Sequence, residues 1–384
     1  MKIAILGIDG YIGYSLANHL MKRGHSVYGL DSGIRRARVE EIGGDSLTPL
    51  PSIYKRGEYL YNTYGDRYLG ISYRNIVNCD YNININPDTI VHLAEQPSAP
   101  YSMKDSYHAV RSQGDNVLGT LNLLWKMREK FPKAHLVKLG TMGEYGTPNC
   151  DIPEGRIPAQ CLGNSGAYQC LCSMSGLLFP RTAGSFYHLS KVHDSLNIEF
   201  ACRNWGLCST DIMQGVVFGL EGENEQELTR FDYDEYFGTV INRFCVQAIA
   251  GIPLTVYGAG GQTRGYLPLK DSLHCLTIAI ENPPKEGEYR TFNQFENIYT
   301  LNSLADTVVR GAKSLGIDAS IEHIENPRNE EEHHYYNPDH QKLFDLGYVP
   351  TTDIQGEVTT LISKLLPYKD RIRKAVIYPK TKWR

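Results

Sequence analysis

No stretch of this chain approaches the ~20 consecutive apolar residues that a membrane-spanning helix requires. Its apolar opening, Ile3-Ala4-Ile5-Leu6, is interrupted by glycine too early to be the core of a signal peptide. No basic stripe stands out: the 384 residues carry a formal net charge of −4, which argues against attachment to nucleic acid through its phosphates. The nine cysteines are scattered, odd in number and without CxxC spacing, so reduced thiols are expected rather than a disulfide framework. Cys170-Leu171-Cys172 is the one close pair, and it has no zinc or redox spacing. Internal repeats and low-complexity segments are also absent. These exclusions leave a cytoplasmic protein that contacts neither membrane nor nucleic acid.

What is present is enough apolar sequence, 41% of the residues, to bury a full core. The first half alternates short apolar runs with amphipathic stretches, the rhythm of a parallel sheet with crossover helices. Strands are expected at 2–6, 26–30, 75–79, 89–93 and 134–139. Helices are expected at 12–23, 118–130 and from 187 to about 204, with a further buried run starting at 210. The fold class is α/β, a doubly wound parallel (Rossmann) sheet with a smaller C-terminal α/β lobe. The boundary falls at 211/212, with some later segments able to return to the first domain. Two segments resist assignment: 35–74, polar and tyrosine-rich, and 150–185, placed between two suspected catalytic motifs, where a long ordered loop serves as a wall or lid.

Gly7, Gly10 and Gly13 stand in G-x-x-G-x-x-G spacing between a strand and a helix. Backbone N–H groups and a helix N-terminus can then meet a pyrophosphate that any side chain would keep away. Asp9, Tyr11 and Ile12 belong to the same turn. Asp31 ends the next strand, where a carboxylate accepts from ribose hydroxyls and repels a 2′-phosphate, favouring NAD over NADP. Arg35 and Arg36 soften that preference, because guanidinium groups can grip phosphate or stack on adenine. Asp80 is a candidate for the adenine amine. Leu93, Ala94, Glu95 and Gln96 follow a strand at its C-terminal end, where such sheets bind ligands.

Tyr187 and Lys191 stand four apart, so on a helix they share a face. A phenol is a weak base at neutral pH, and a neighbouring ammonium brings its pKa toward the working range. The pair suits removal of a hydroxyl proton while hydride leaves for nicotinamide. Glu330-Glu331-Glu332-His333-His334 lacks ligand spacing, so no metal is expected there.

Longer motifs carry a family resemblance. They are Thr141-Met142-Gly143-Glu144-Tyr145-Gly146, Tyr187-His188-Leu189-Ser190-Lys191-Val192-His193-Asp194-Ser195, Gly261-Gln262-Thr263-Arg264-Gly265-Tyr266, Ser98-Ala99-Pro100-Tyr101-Ser102-Met103 and Asn326-Pro327-Arg328. Together they resemble the UDP-sulfoquinovose synthase family of the extended short-chain dehydrogenase/reductases. The resemblance implies NAD-dependent oxidation of UDP-glucose at C4, elimination across C5 and C6, sulfite addition at C6 and re-reduction at C4. It implies that Thr141 hydrogen-bonds the reacting hydroxyl beside Tyr187 and Lys191. Glu144 and His188 become the candidates for acid and base in the elimination, with the assignment between them open.

Sugar-nucleotide 4,6-dehydratases carry Thr-Asp-Glu where this chain has Thr141-Met142-Gly143. The lost acid pair argues against a simple dehydratase and removes charge that would repel sulfite. The resemblance also makes 212–384 the sugar-nucleotide domain. There Thr255, Val256 and Tyr257 hold uracil, Arg264 and Arg328 clamp the diphosphate, and Glu332 takes the ribose. Gln96, Gln214, Gln262 and Arg243 are further substrate contacts. It further implies a homodimer through 118–130 and 187–204, and allows sulfite to arrive free or from a donor protein. Pro97 departs from the family, standing where an arginine is expected, and 156–182 matches it poorly. A UDP-hexose 4-epimerase, a 4,6-dehydratase and a non-catalytic NAD-binding regulator are the competing readings.

Overall fold

The computed structural model describes residues 1–157, 177–328, 331, 333–350 and 353–383. In chain order the strands are β1 (Lys2–Leu6), β2 (Ser26–Asp31), β3 (Tyr68–Tyr73), β4 (Thr89–His92), β5 (His135–Leu139), β6 (Arg156–Ile157) and β7 (Leu177–Leu178). They continue with β8 (Cys208–Gln214), β9 (Val216–Phe218), β10 (Leu254–Tyr257), β11 (Thr263–Pro268), β12 (Tyr289–Gln294), β13 (Asn297–Thr300) and β14 (Ile321–Ile324).

Seven of these make one sheet in the order β12-β8-β5-β4-β1-β2-β3, every pair parallel. Its central strands read as continuous apolar runs because helices cover both faces: Ile3, Ala4, Ile5 and Leu6 are all fully buried. The chain moves outward through β2 and β3 on one side of β1, then restarts at β4 on the other. That reversal opens a crevice above the C-terminal ends of β1 and β4, where open α/β sheets bind ligands.

Three sequence expectations change. Segment 35–74 is ordered: it contributes the helices Ile34–Glu41 and Ile53–Tyr64 and the edge strand β3. Residues 75–79 are not a strand, because β3 has already paired with β2 through Ile71, Ser72 and Tyr73, and the chain turns away after it. The helix expected at 118–130 starts further back. Ser106–Gln113 runs through a π-helical turn, Gly114–Leu118, into Gly119–Lys130. Within that turn Asn116 is buried and bonded to the Gln96 N–H (2.7 Å) and Ser190 Oγ (2.8 Å).

The second half does return to the first sheet. β12 pairs outside β8, and the helix Leu269–Glu281 joins the core formed with Leu16 and Leu20. The remainder forms a second lobe around Phe244, Leu304, Val308 and Leu361. It carries the β13-β11-β9 sheet and the parallel pair β10-β14. Among the described residues no helix is long and apolar enough to cross a membrane.

Candidate active site

The crevice between the lobes is a cavity of about 760 Å³. One wall is the glycine turn. Gly7 has φ +88°, and a Cβ on it would lie 2.7 Å from the Leu93 carbonyl carbon. A Cβ on Gly13 would lie 2.1 Å from the Gly7 oxygen. Both positions therefore admit only glycine, and the helix Tyr11–Lys22 starts hard against the strand ends. Gly10, Tyr11, Ile12, Leu93, Ala94, Glu95 and Gln96 line the cavity with them.

Asp31 faces the cavity and accepts from the Asp9 N–H (2.9 Å) and the Gly33 N–H (2.7 Å). Burial, then the neighbouring Asp9 charge, raises its pKa. Such a carboxylate beside a Cβ-free turn fits the adenosine ribose and pyrophosphate of NAD.

Not every residue expected around the cofactor reaches it. Asp9 does not line the cavity: its carboxylate turns to Arg36 (2.6 Å) and the buried Arg56 (2.9 Å). Arg36 is thereby withdrawn from the wall, which removes one of the two guanidiniums that could hold a 2′-phosphate. Arg35 stays on the wall, its guanidinium 3.7 Å above the Phe237 ring and paired to Asp232 (2.7 Å). Asp80 is exposed and off the cavity; Asn75, Ile76 and Val77 occupy that wall instead. Arg38 and Arg74 also line it, and neither was singled out in the sequence because both lie in or beside the unassigned 35–74 segment.

The floor of the cavity is built from two capped turns. Thr141 follows β5 and caps the short turn Met142–Glu144, its Oγ1 accepting from the Gly143 N–H (3.1 Å). Ser185 caps the helix Phe186–Trp205, accepting from the His188 N–H (3.2 Å) and also bonding His188 Nδ1 (3.0 Å). These caps fix Thr141, Tyr187, His188 and Lys191 on one wall. Lys191 Nζ donates to the Leu139 carbonyl (2.7 Å) and forms an ion pair with Glu95.

Burial raises the Tyr187 pKa, with the Glu144 charge adding and Lys138 and the Thr141 hydrogen bond opposing. Burial lowers Lys191 to about 8 against the pull of Asp194 and Asp211. Burial, then Arg328 and Arg264, lowers His188 to about 3, so its imidazole is neutral. Met142 lines the cavity while packing with Tyr145, Met213 and Phe295.

Glu144 is a correction. It is fully buried and does not line the cavity. Its carboxylate meets Lys138 (3.3 Å), Arg181 and Ser195 Oγ (3.1 Å), and Lys138 also meets Asp211 (3.3 Å). The capping box explains this: the Glu144 side chain folds back to the Thr141 N–H (3.3 Å), under the turn rather than over it. His188 is the remaining candidate, and it packs where a Cβ on Gly143 would lie 2.3 Å from its Nε2.

At the other end, Thr255 and Tyr257 line the cavity, while Val256 between them points into the second core, as strand alternation requires. Arg243, Arg264 and Arg328 reach the same end, with Gln214 and Gln262. The Arg243 guanidinium lies 5.2 Å from the Tyr257 ring centroid. Gln262 donates to the Tyr257 carbonyl (3.2 Å) and Gln214 to Ser272 Oγ (2.9 Å). Gln96 lines the wall but is tied down by Ser112 Oγ (2.7 Å). Tyr336 and Trp383 also line the cavity, and no pattern in the sequence pointed to either. Glu332, Cys170 and Cys172 lie outside the described residues. Among the described residues no group of three or more His, Cys, Asp or Glu is arranged to hold a metal ion.

Comparison with known proteins fits this geometry. The profile of the NAD dependent epimerase/dehydratase family matches residues 3–170. UDP-sulfoquinovose synthase of Sulfolobus acidocaldarius is 46% identical over 100% of this chain and 98% of its own. The chain belongs to the UDP-sulfoquinovose synthase family. A second member of that family, the chloroplastic enzyme of Spinacia oleracea, is 44% identical over 100% of this chain and 79% of its own. Among solved structures, a UDP-glucuronic acid 4-epimerase mutant from Bacillus cereus, in complex with a fluorinated UDP-sugar and NAD, superposes with a TM-score of 0.70. It shares 18% identity over 95% of this chain and 99% of its own, a likeness of fold. Family membership makes the chain an NAD-dependent sugar-nucleotide enzyme.

Proposed function

We propose that this chain makes UDP-sulfoquinovose from UDP-glucose and sulfite in the cavity between its lobes. One observation carries the reading beyond an ordinary 4,6-dehydratase. The His188 imidazole occupies the space that any side chain at 143 would fill, so the acidic turn of a 4,6-dehydratase has no room here.

Bound NAD supplies the hydride exchange at C4 of the sugar. Tyr187 takes the 4-hydroxyl proton, with Thr141 on the same oxygen and the Lys191 charge stabilising phenolate. The resulting ketone acidifies C5–H. His188, held through Nδ1 by Ser185, presents Nε2 as a neutral base to that proton. It returns the proton to the departing 6-hydroxyl, which leaves as water. Sulfite, arriving as bisulfite, then adds at C6 of the unsaturated sugar while its proton goes to C5. Return of the hydride to C4, with the proton held by Tyr187 going back to O4, restores the hydroxyl. Arg264 and Arg328 hold the diphosphate as forked donors, and β10 lies along the uracil.

An apolar stripe on the helices Gly119–Lys130 and Phe186–Trp205, formed by Leu121, Trp125, Leu189, Leu196 and Phe200, is exposed in the single chain. It fits a second copy. The six described cysteines are unpaired, which suits a reducing cytoplasm.

The test is incubation with UDP-glucose and sulfite followed by mass spectrometry. A sulfonated sugar nucleotide supports the reading. UDP-galactose would assign an epimerase, and a 4-keto-6-deoxy product a dehydratase. Sedimentation in solution tests the dimer, and a monomer at micromolar concentration would refute it.

A further inference from the structure

The segment 376–383 leaves the second core and reaches the cavity wall at Trp383. It is anchored first at Val376 and Ile377, both buried, with the Glu235 N–H donating to the Val376 carbonyl (2.9 Å). It is fastened again at Thr381, whose N–H donates to Glu235 Oε1 (2.6 Å) and whose hydroxyl donates to Tyr236 (2.9 Å). The Tyr236 backbone carbonyl in turn accepts from Ser98 Oγ of the first lobe. The last fastening is the Trp383 N–H, which donates to the Pro327 carbonyl (3.0 Å) beside Arg328.

These fastenings place the Trp383 ring on the cavity wall, 5.2 Å from the Arg328 guanidinium carbon. Tyr257 approaches the same guanidinium at 6.0 Å. Arg328 is therefore within cation–π reach of two rings belonging to elements far apart in sequence. A guanidinium held near a ring keeps its N–H edge for an oxyanion.

We propose that Trp383 is a substrate-positioning residue. The strap 378–383 closes the nucleotide end of the cavity, and the ring holds Arg328 toward the diphosphate of a nucleoside diphosphate sugar. The ligand class rests on the function proposed above. The strap adds a reason for tight holding: an unsaturated sugar formed before sulfite arrives must stay bound until C6 is attacked.

The experiment is calorimetric titration of wild type, Trp383→Ala and Trp383→Phe with UDP, with bound NAD measured in each preparation. Trp383→Ala should bind UDP about tenfold more weakly, the upper range of a partly desolvated cation–π contact. Trp383→Phe should stay within about twofold, since Phe keeps a π face. NAD content should not change, because the strap ends at the opposite end of the cavity from the glycine turn. If Trp383→Ala fails to melt cooperatively, Trp383→Leu replaces it with the same expected loss. UDP binding unchanged in the non-aromatic variant, or weakened equally in Trp383→Phe, overturns the proposal and leaves the functional reading standing. Wild type that does not bind UDP overturns both.

Discussion

Replacing Gly143 by alanine adds a single methyl group, and the structure fixes what that methyl meets. The new Cβ would lie 2.3 Å from His188 Nε2 and 2.4 Å from its Cδ2. Ordinary contact begins near 3.4 Å, so the ring must retreat by about 1.1 Å. It cannot retreat freely, because Nδ1 is bonded to the Ser185 cap that also starts the catalytic helix. A misplacement of about 1 Å in a reacting group costs on the order of 10²-fold in rate. Gly143→Ala should therefore lower kcat for sulfonate formation about 10²-fold, with bound NAD and the melting temperature nearly unchanged. In a double mutant with His188→Ala the two losses should fail to add, because the alanine no longer meets a ring. Steady-state turnover of UDP-glucose and sulfite, read by product mass, measures this. A Gly143→Ala enzyme within threefold of wild type would refute both the steric argument and the role given to His188.

Tyr187→Phe should reduce turnover by about 10²–10⁴-fold while the purified protein keeps its NAD, as absorbance of the released cofactor will report. Glu144→Gln leaves Lys138 and Arg181 buried without their full counter-charge. It should cost about 3–5 kcal/mol in urea unfolding, and unchanged stability with lost turnover would instead place that carboxylate on the substrate. His135 is buried with Nε2 2.8 Å from Thr210 Oγ1, and burial lowers its pKa to about 3. Between pH 6.5 and about 3 the unfolded chain binds a proton that the folded ring refuses, so this contribution is intact above pH 6.5 and is lost on acidification. From pH 7 to 5 wild type should lose about 2 kcal/mol more than His135→Gln in urea unfolding midpoints.

The parts of the site legible in the sequence are those where backbone geometry restricts residue type. Gly7 and Gly13 have no space for a Cβ, and Asp31 ends the second strand; each leaves a mark at fixed spacing. Tyr187 and Lys191 were legible because helical periodicity alone puts them on one face. Glu144 was misjudged for the opposite reason. Its place in the motif gives its position along the chain, whereas the capping box that turns it under Thr141 depends on Lys138, Arg181 and Asp211 arriving from three other elements. Asp80 failed because β3 was hidden in a tyrosine-rich segment, which moved the expected strand by seven residues and the candidate with it. Val256 was separated from Thr255 and Tyr257 by strand alternation, which a list of motif residues does not respect. Trp383 carries no local signal, since its relation to Arg328 exists only after some fifty intervening residues have folded back.

The late return of β12 to the outer edge of β8 bears on how the protein is born. When translation has just passed Gln214, six strands can pair, but β8 presents an unoccupied edge. Its permanent neighbour ends 80 residues later, at Gln294, about 4–16 s away at ordinary elongation rates. Bare edges invite intermolecular pairing. Slower elongation between 214 and 294 would prolong that exposure.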